Sequence, residues 1–375
     1  MKTYILVAVS VFAILMMVES CKSRATVLTA EEIGVLDSAT RPPVPQDNTE
    51  EKNDPEEDTA DVVEPVEPER SIASATPATS TTFPDTALYQ NSLKRMVNGD
   101  ASGKWPVRSP FPLPGSILPY KTILAFYGNL YSKRMGILGE LPRPQMLNKL
   151  KLEMKRWQQA DSSIQIQPAL HYIAVTAQIE PGKGGKYRLR MPFHQIDSVL
   201  SMAKEIDALV FLDVQIGLST LQAEVPEFEK YLKMPNVHLG IDPEFAMKNG
   251  NPPGKAVGVL DASEINYTID YLTKLVRENN IPPKILVVHR FTQRMVTNYK
   301  QIKLAPEVQV VMHMDGWGEP ARKVGTYQNF IYREPVQFTG FKIFYKNDVK
   351  MANSRLMGPE DLLALKPRPV YVQYQ

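Results

Sequence analysis

A single cysteine among 375 residues, Cys21, leaves no partner for an intramolecular disulfide, so whatever folds must be held by its core alone. No Gly-x-Gly-x-x-Gly follows an apolar run. Phe126-Tyr127-Gly128-Asn129 lacks the spacing that cradles a pyrophosphate, and Pro181-Gly182-Lys183-Gly184-Gly185-Lys186 lacks the Walker arrangement, which argues against a nucleotide ligand. The five histidines form no His-x-His and no His-Glu-x-x-His, so no compact metal motif is present and no cofactor is expected. Lysine and arginine are not clustered with aromatics on one element, which speaks against nucleic acid as a partner. Long apolar runs are also missing: the stretch from Tyr4 to Val18 is too short to span a bilayer.

That stretch has a different use. Lys2 precedes it and Val18-Glu19-Ser20-Cys21 ends it, a small residue standing directly before the cysteine. This resembles the lipobox of bacterial lipoproteins, which implies a signal peptide over residues 1–20, cleavage before Cys21 and a lipid on its thiol. A plain secretory signal with an incidental cysteine is the alternative. Residues 21–95 are expected to be a disordered tether. Pro, Glu, Asp, Thr and Ser dominate there without apolar periodicity, so little can be buried against the entropy of folding. Residues 31–70 hold 14 acidic against 3 basic residues, so the chain total of +2 leaves residues 91–375 at +12. A basic domain on an acidic tether points to an anionic partner such as an acidic glycan, a wall polymer or a lipid headgroup, in the cell envelope outside the cytoplasmic membrane. Charges scattered for solubility are the plain alternative.

Residues 96–375 read as one (β/α)8 barrel of the TIM type. Strand patterns at 123–128, 167–174, 208–217, 237–244, 284–290, 308–315, 337–344 and 369–374 alternate with helical patterns at 146–160, 193–206, 221–232, 263–279, 293–303, 320–331 and 359–365. An open doubly wound sheet is the runner-up. Asp261 reads as a helix N-cap with Glu264 completing a capping box.

In each strand one alternating phase is apolar while the other ends in polar residues. Side chains alternate across a strand, so the polar phase collects at one end of the barrel interior. It offers Tyr127, Asn129, His171, Asp213, Gln215, Asp242, Glu244, His289, His313, Asp315, Lys342 and Gln373. Burying an unpaired carboxylate costs roughly several kcal/mol, so structure alone rarely gathers Asp213, Asp242, Glu244 and Asp315. Carboxylates without a nucleophile motif suit general acid/base chemistry, and glycoside hydrolysis needs two of them. Asp242 and Glu244 are expected on one face of the fourth strand, ~7 Å apart, with crowding raising one pKa and leaving the other group ionised. Such a pair resembles the strand-four acids of many barrel glycosidases. Tyr127, Asn129, His171, Gln215, His289, Arg290, Trp317 and Lys342 are the expected substrate-binding residues. Two alternatives stay open: a divalent metal held by His171, His238, His289 and His313 with the aspartates, serving phosphoester or amide hydrolysis, and a lipid-anchored glycan-binding protein without turnover.

Phe126-Tyr127-Gly128-Asn129, Met135-Gly136-Ile137-Leu138-Gly139-Glu140, Phe211-Leu212-Asp213-Val214-Gln215 and Gly240-Ile241-Asp242-Pro243-Glu244-Phe245 resemble stretches of a group of secreted bacterial lipoproteins with a TIM-barrel domain. The resemblance implies export and the fold. It carries no activity.

Overall fold

The computed structural model describes residues 85–352 and 354–375. The expected signal peptide, Cys21 and the tether up to residue 84 lie outside the described residues. Among those described, no helix is long and apolar enough to cross a membrane.

Eight parallel strands pair in chain order. They are β1 (Thr122–Gly128), β2 (Ile166–Ala177), β3 (Leu209–Val214), β4 (Val237–Ile241), β5 (Lys284–Arg290), β6 (Val308–Met314), β7 (Phe338–Ile343) and β8 (Tyr371–Tyr374). Tyr371 to Tyr374 of β8 run beside Ile123 to Phe126 of β1, and β1 also pairs with β2, so the sheet closes on itself. This is the (β/α)8 barrel expected from the order of patterns. Each expected strand is present within a few residues of its bounds.

The alternation along the strands builds two cores. In β5, Leu286 and Val288 pack outward among Leu272, Leu275 and Val310, while Ile285 and Val287 point into the barrel beside Phe211, Val311 and Phe338. The outer layer is covered by α2 (Arg143–Ala160), α3 (Phe193–Lys204), α4 (Ala262–Asn279), α5 (Pro320–Tyr327) and α6 (Pro359–Leu363), numbered after an N-terminal helix α1 (Thr86–Val97). The capping box of α4 is formed: Asp261 accepts from the Ser263 N–H at 3.0 Å, and Glu264 accepts from the Asp261 N–H at 3.1 Å.

Three local expectations give way. The boundary at residue 95 falls inside α1, which buries Tyr89, Met96 and Val97. Met96 and Val97 join Trp105 and Leu118 against Ile123, Ala125 and Val370, closing the barrel at its N-terminal end, so this segment has apolar surface to bury after all. The helix expected over 221–232 breaks into Leu221–Glu224, a 3-10 turn Val225–Phe228 and Glu229–Leu232, because Pro226 has no N–H to continue the ladder. The helix expected over 293–303 is absent. Single 3-10 turns at Gln293–Met295 and Tyr299–Gln301 flank a two-residue strand, Val296–Thr297, paired with Leu260–Asp261. The carbonyls of Thr292, Gln293 and Val296 turn toward the Arg290 guanidinium, and Asn298 takes a left-handed φ of 55°, both incompatible with a helix.

Candidate functional site

Where the interior phase of each strand turns polar, a connected ring of buried side chains crosses the barrel. The Tyr127 hydroxyl at the end of β1 donates to Asp213 Oδ2 of β3 at 2.8 Å. The other oxygen, Asp213 Oδ1, lies 3.3 Å from His171 Nε2 of β2 and 3.4 Å from His289 Nε2 of β5. His289 Nδ1 sits 2.8 Å from Asp315 Oδ2, just past β6, and the second oxygen of Asp315 pairs with Lys342 Nζ of β7 at 3.0 Å. That ammonium also lies 3.9 Å from the centre of the Tyr127 ring. On the far side, His171 Nδ1 is 2.5 Å from the Tyr371 hydroxyl and 3.0 Å from Gln373 Nε2, both on β8. His171, Asp213, His289, His313 and Gln373 are wholly enclosed.

Asp242 and Glu244 differ from the expectation. β4 ends at Ile241, and Pro243, lacking an N–H, turns the chain into the 3-10 turn Pro243–Phe245. Asp242 caps that turn, accepting from the Glu244 N–H at 3.1 Å, so the two carboxyls do not share a strand face. Gln215 ties Asp242 to the ring: its Nε2 lies 3.3 Å from the Tyr127 hydroxyl and 3.5 Å from Asp242 Oδ2, while its carbonyl accepts from the Ala177 N–H. Asp242 is buried, the Asp315 side chain is only 8% exposed, and Glu244 is partly exposed.

The environments divide the four carboxyls into two pairs. Burial acts to raise all of them. At Asp213 the opposing field of His289 and His171 wins, and at Asp315 that of Lys342 and His289, so both are held well below the usual carboxylate range. Asp242 gains less from these cations and is pushed by burial, with Asp213 and Asp315 nearby, up to about 7. Glu244 moves upward too, from burial and the neighbouring Asp242 and Asp315. Both members of the expected pair are therefore raised, not one. The ionised partners come from other strands. Burial also acts to lower the histidines: His171 falls to about 4, but His289, flanked by Asp213 and Asp315, is carried up to about 10.

Two expected binding residues, Arg290 and Asn129, stand elsewhere. Arg290 follows His289 and so faces the outer layer, where it donates to the carbonyls of Thr292, Phe330, Gln293 and Val296 and pairs with Glu334 at 2.5 Å. Each of its three guanidinium nitrogens is engaged by the scaffold. Asn129 is equally engaged, donating to the Ile173 carbonyl at 2.9 Å and accepting from the Tyr131 N–H at 2.7 Å; it shapes the loop after β1. Trp317, half-buried on the loop after β6, lies under the Arg322 guanidinium at 5.3 Å. His238 belongs to the interior packing: its Nδ1 accepts from the Ile285 N–H and its ring packs 5.1 Å from Phe211.

Two contributors escaped the sequence reading. Tyr371 shares the interior phase with Gln373, and only its aromatic character disguised it as core. Gly240 supplies room. A Cβ there would stand 2.4 Å from Asp213 Oδ1 and 2.5 Å from His171 Nε2, so any other residue would push the two apart.

No family model matches the chain, and no curated protein matches it. Among solved structures it is similar to a hyperthermophilic endo-beta-1,4-glucanase in complex with substrate, with 9% identity, 56% of this chain and 77% of that chain covered and a TM-score of 0.31. A broad-specificity endoglucanase from an uncultured bovine rumen ciliate gives 10% identity, 55% and 73% coverage and a TM-score of 0.31. Burkholderia cenocepacia dihydropteroate synthase, complexed with 7,8-dihydropteroate, gives 8% identity, 68% and 86% coverage and the same TM-score of 0.31. Likeness at this level says nothing of activity, and the barrel rests on its own strand pairings.

Proposed function

We propose that this barrel hydrolyses a glycosidic bond in a glycan or other anionic envelope polymer by carboxyl general acid/base chemistry. One observation carries the reading: the C-terminal ends of the strands gather carboxyls driven apart in acidity, Glu244 and Asp242 raised and Asp315 lowered, with Glu244 partly exposed. Opposed carboxyls of this kind are what the reaction requires, an acid to protonate the leaving oxygen and an ionised group to act as nucleophile or base. In this reading Glu244 donates the proton and Asp242 keeps it protonated by adding to the local negative field. Asp315, aligned by His289 and Lys342, supplies the negative charge. The Trp317 ring at the mouth offers a face for a sugar. The sequence supports the setting: a lipobox-like Cys21 would carry the lipid, the acidic tether would lift the domain from the membrane, and its net charge of +12 would favour an anionic polymer.

The test is turnover of an anionic glycan by Glu244→Gln and Asp315→Asn. Each is expected to lose activity by about 10²–10⁴-fold, the usual contribution of a proton-transfer group. Glu244→Gln should keep the native thermal midpoint, because its carboxyl makes no ion pair among the described residues. Saturable binding by the native protein with no released reducing ends would replace hydrolysis with a binding role.

A further inference from the structure

We propose that His171, Asp213 and His289 form a site for one divalent transition-metal cation of the zinc type, inside the barrel and beneath the mouth carboxyls. The inference stands independently of the glycan reading, since a cation can be held whether or not a polymer is cleaved.

Three atoms converge: His171 Nε2, Asp213 Oδ1 and His289 Nε2, all within 4.8 Å of one another and all on wholly enclosed side chains. None of the three has a hydrogen-bond partner among the described residues. The separations of 3.3 and 3.4 Å exceed the ordinary N–H···O range of about 2.7–3.2 Å. They do match the edge of a tetrahedron around an ion with bonds of about 2.1 Å, which is about 3.4 Å. Leaving buried donors and acceptors unpaired is costly, and a shared cation satisfies all three at once.

The surrounding contacts are those of a ligand set. Each ligand is gripped by its other end: His289 Nδ1 by Asp315, which Lys342 holds in turn; His171 Nδ1 by Tyr371; Asp213 Oδ2 by the Tyr127 hydroxyl. Metal binding displaces the Nε2 proton of His289 and leaves its Nδ1–H on Asp315, and the His171 and His289 Nε2 atoms then face the same point as Asp213 Oδ1. Gly240 leaves open the space that a Cβ would take from this cluster. Two imidazoles and one carboxylate suit a borderline cation such as Zn²⁺ or Co²⁺ better than Ca²⁺ or Mg²⁺, which prefer oxygen. His238, occupied by the Ile285 N–H, is not part of the set.

The test is titration of the full chain, freed of metal by chelation, with Co²⁺, read by the visible d–d bands of the bound ion and by elemental analysis after gel filtration. One Co²⁺ per chain is expected, displaced by Zn²⁺, with a rise in thermal midpoint on Zn²⁺ addition. Asp315→Asn, which retains all three ligands, should weaken Co²⁺ binding about 10–100-fold. Asp213→Asn and His289→Gln should weaken it at least that far, and exposed His194→Gln not at all. Absence of stoichiometric uptake by the native chain overturns the proposal. So does uptake that survives unchanged in Asp315→Asn and in correctly folded Asp213→Asn.

Discussion

Lys284 opens β5 with its ammonium enclosed, donating to the carbonyls of Met234 at 2.6 Å and Val237 at 2.9 Å. Burial lowers it to about 7, against 10.5 for an ordinary lysine. Between those values the unfolded chain binds more protons than the folded one, so this residue makes stability rise with pH from about 7 upward and contributes least below it. Lys284→Met is expected to flatten that rise, a difference on the order of a few kcal/mol, visible in denaturation midpoints measured from pH 6 to 10. Arg290→Met should cost roughly 3–5 kcal/mol by stranding Glu334 and four carbonyls, while a folded fraction keeps its turnover per molecule. A proportional loss of turnover would return Arg290 to the site. Strict alternation already sends Arg290 outward, because it follows His289. What no spacing reveals is protonation. Asp242 and Asp315 both end interior phases in the sequence, yet burial with Asp213 and Asp315 nearby raises the first, while Lys342 and His289 lower the second.

At the level of elements, strands were more legible than helices. A barrel strand buried on both sides must be apolar in both phases until its polar end, and that pattern survives any neighbour. Helical periodicity is weaker evidence. Over 293–303 it lost to Arg290, whose guanidinium draws three carbonyls out of any helical path. Local chemistry held where it was self-contained, as in the capping box of α4. Asp261 there also accepts from the Thr297 hydroxyl at 2.7 Å and from Asn298 at 2.6 Å. Asp261→Ala should therefore destabilise by about 2 kcal/mol, the upper end for an N-cap, and Asp261→Asn by less. Equal midpoints in the two variants would show that the extra contacts contribute nothing.

For the molecule as a whole, α1 acts as a floor to the barrel. Met96→Ala should cost about 2–5 kcal/mol, because Met96 is only 3% exposed where it meets the interior core. A surface-like loss of under about 0.5 kcal/mol would mean the floor is dispensable. The net charge of +12 over residues 91–375 leads to a second expectation: affinity for an anionic polymer should fall steeply between low salt and about 0.15 M, while a neutral glycan shows no such dependence.

The sequence by itself determined the eight strands, their order and which side chains face inward, because a two-residue period and an alternating β/α pattern leave few other ways to bury apolar surface. It also determined the charge contrast between the acidic residues 31–70 and the basic residues 91–375. Tertiary structure alone decided the rest. Closure of β8 onto β1 brings Tyr371 and Gln373 to His171, residues 200 and 202 positions distant. Register between β3 and β4 sets Gly240 opposite Asp213, opening the space where two imidazoles and a carboxylate meet. Acidity and ligand geometry depend on distances of a few ångströms between strands far apart in the chain, and no local pattern encodes those distances.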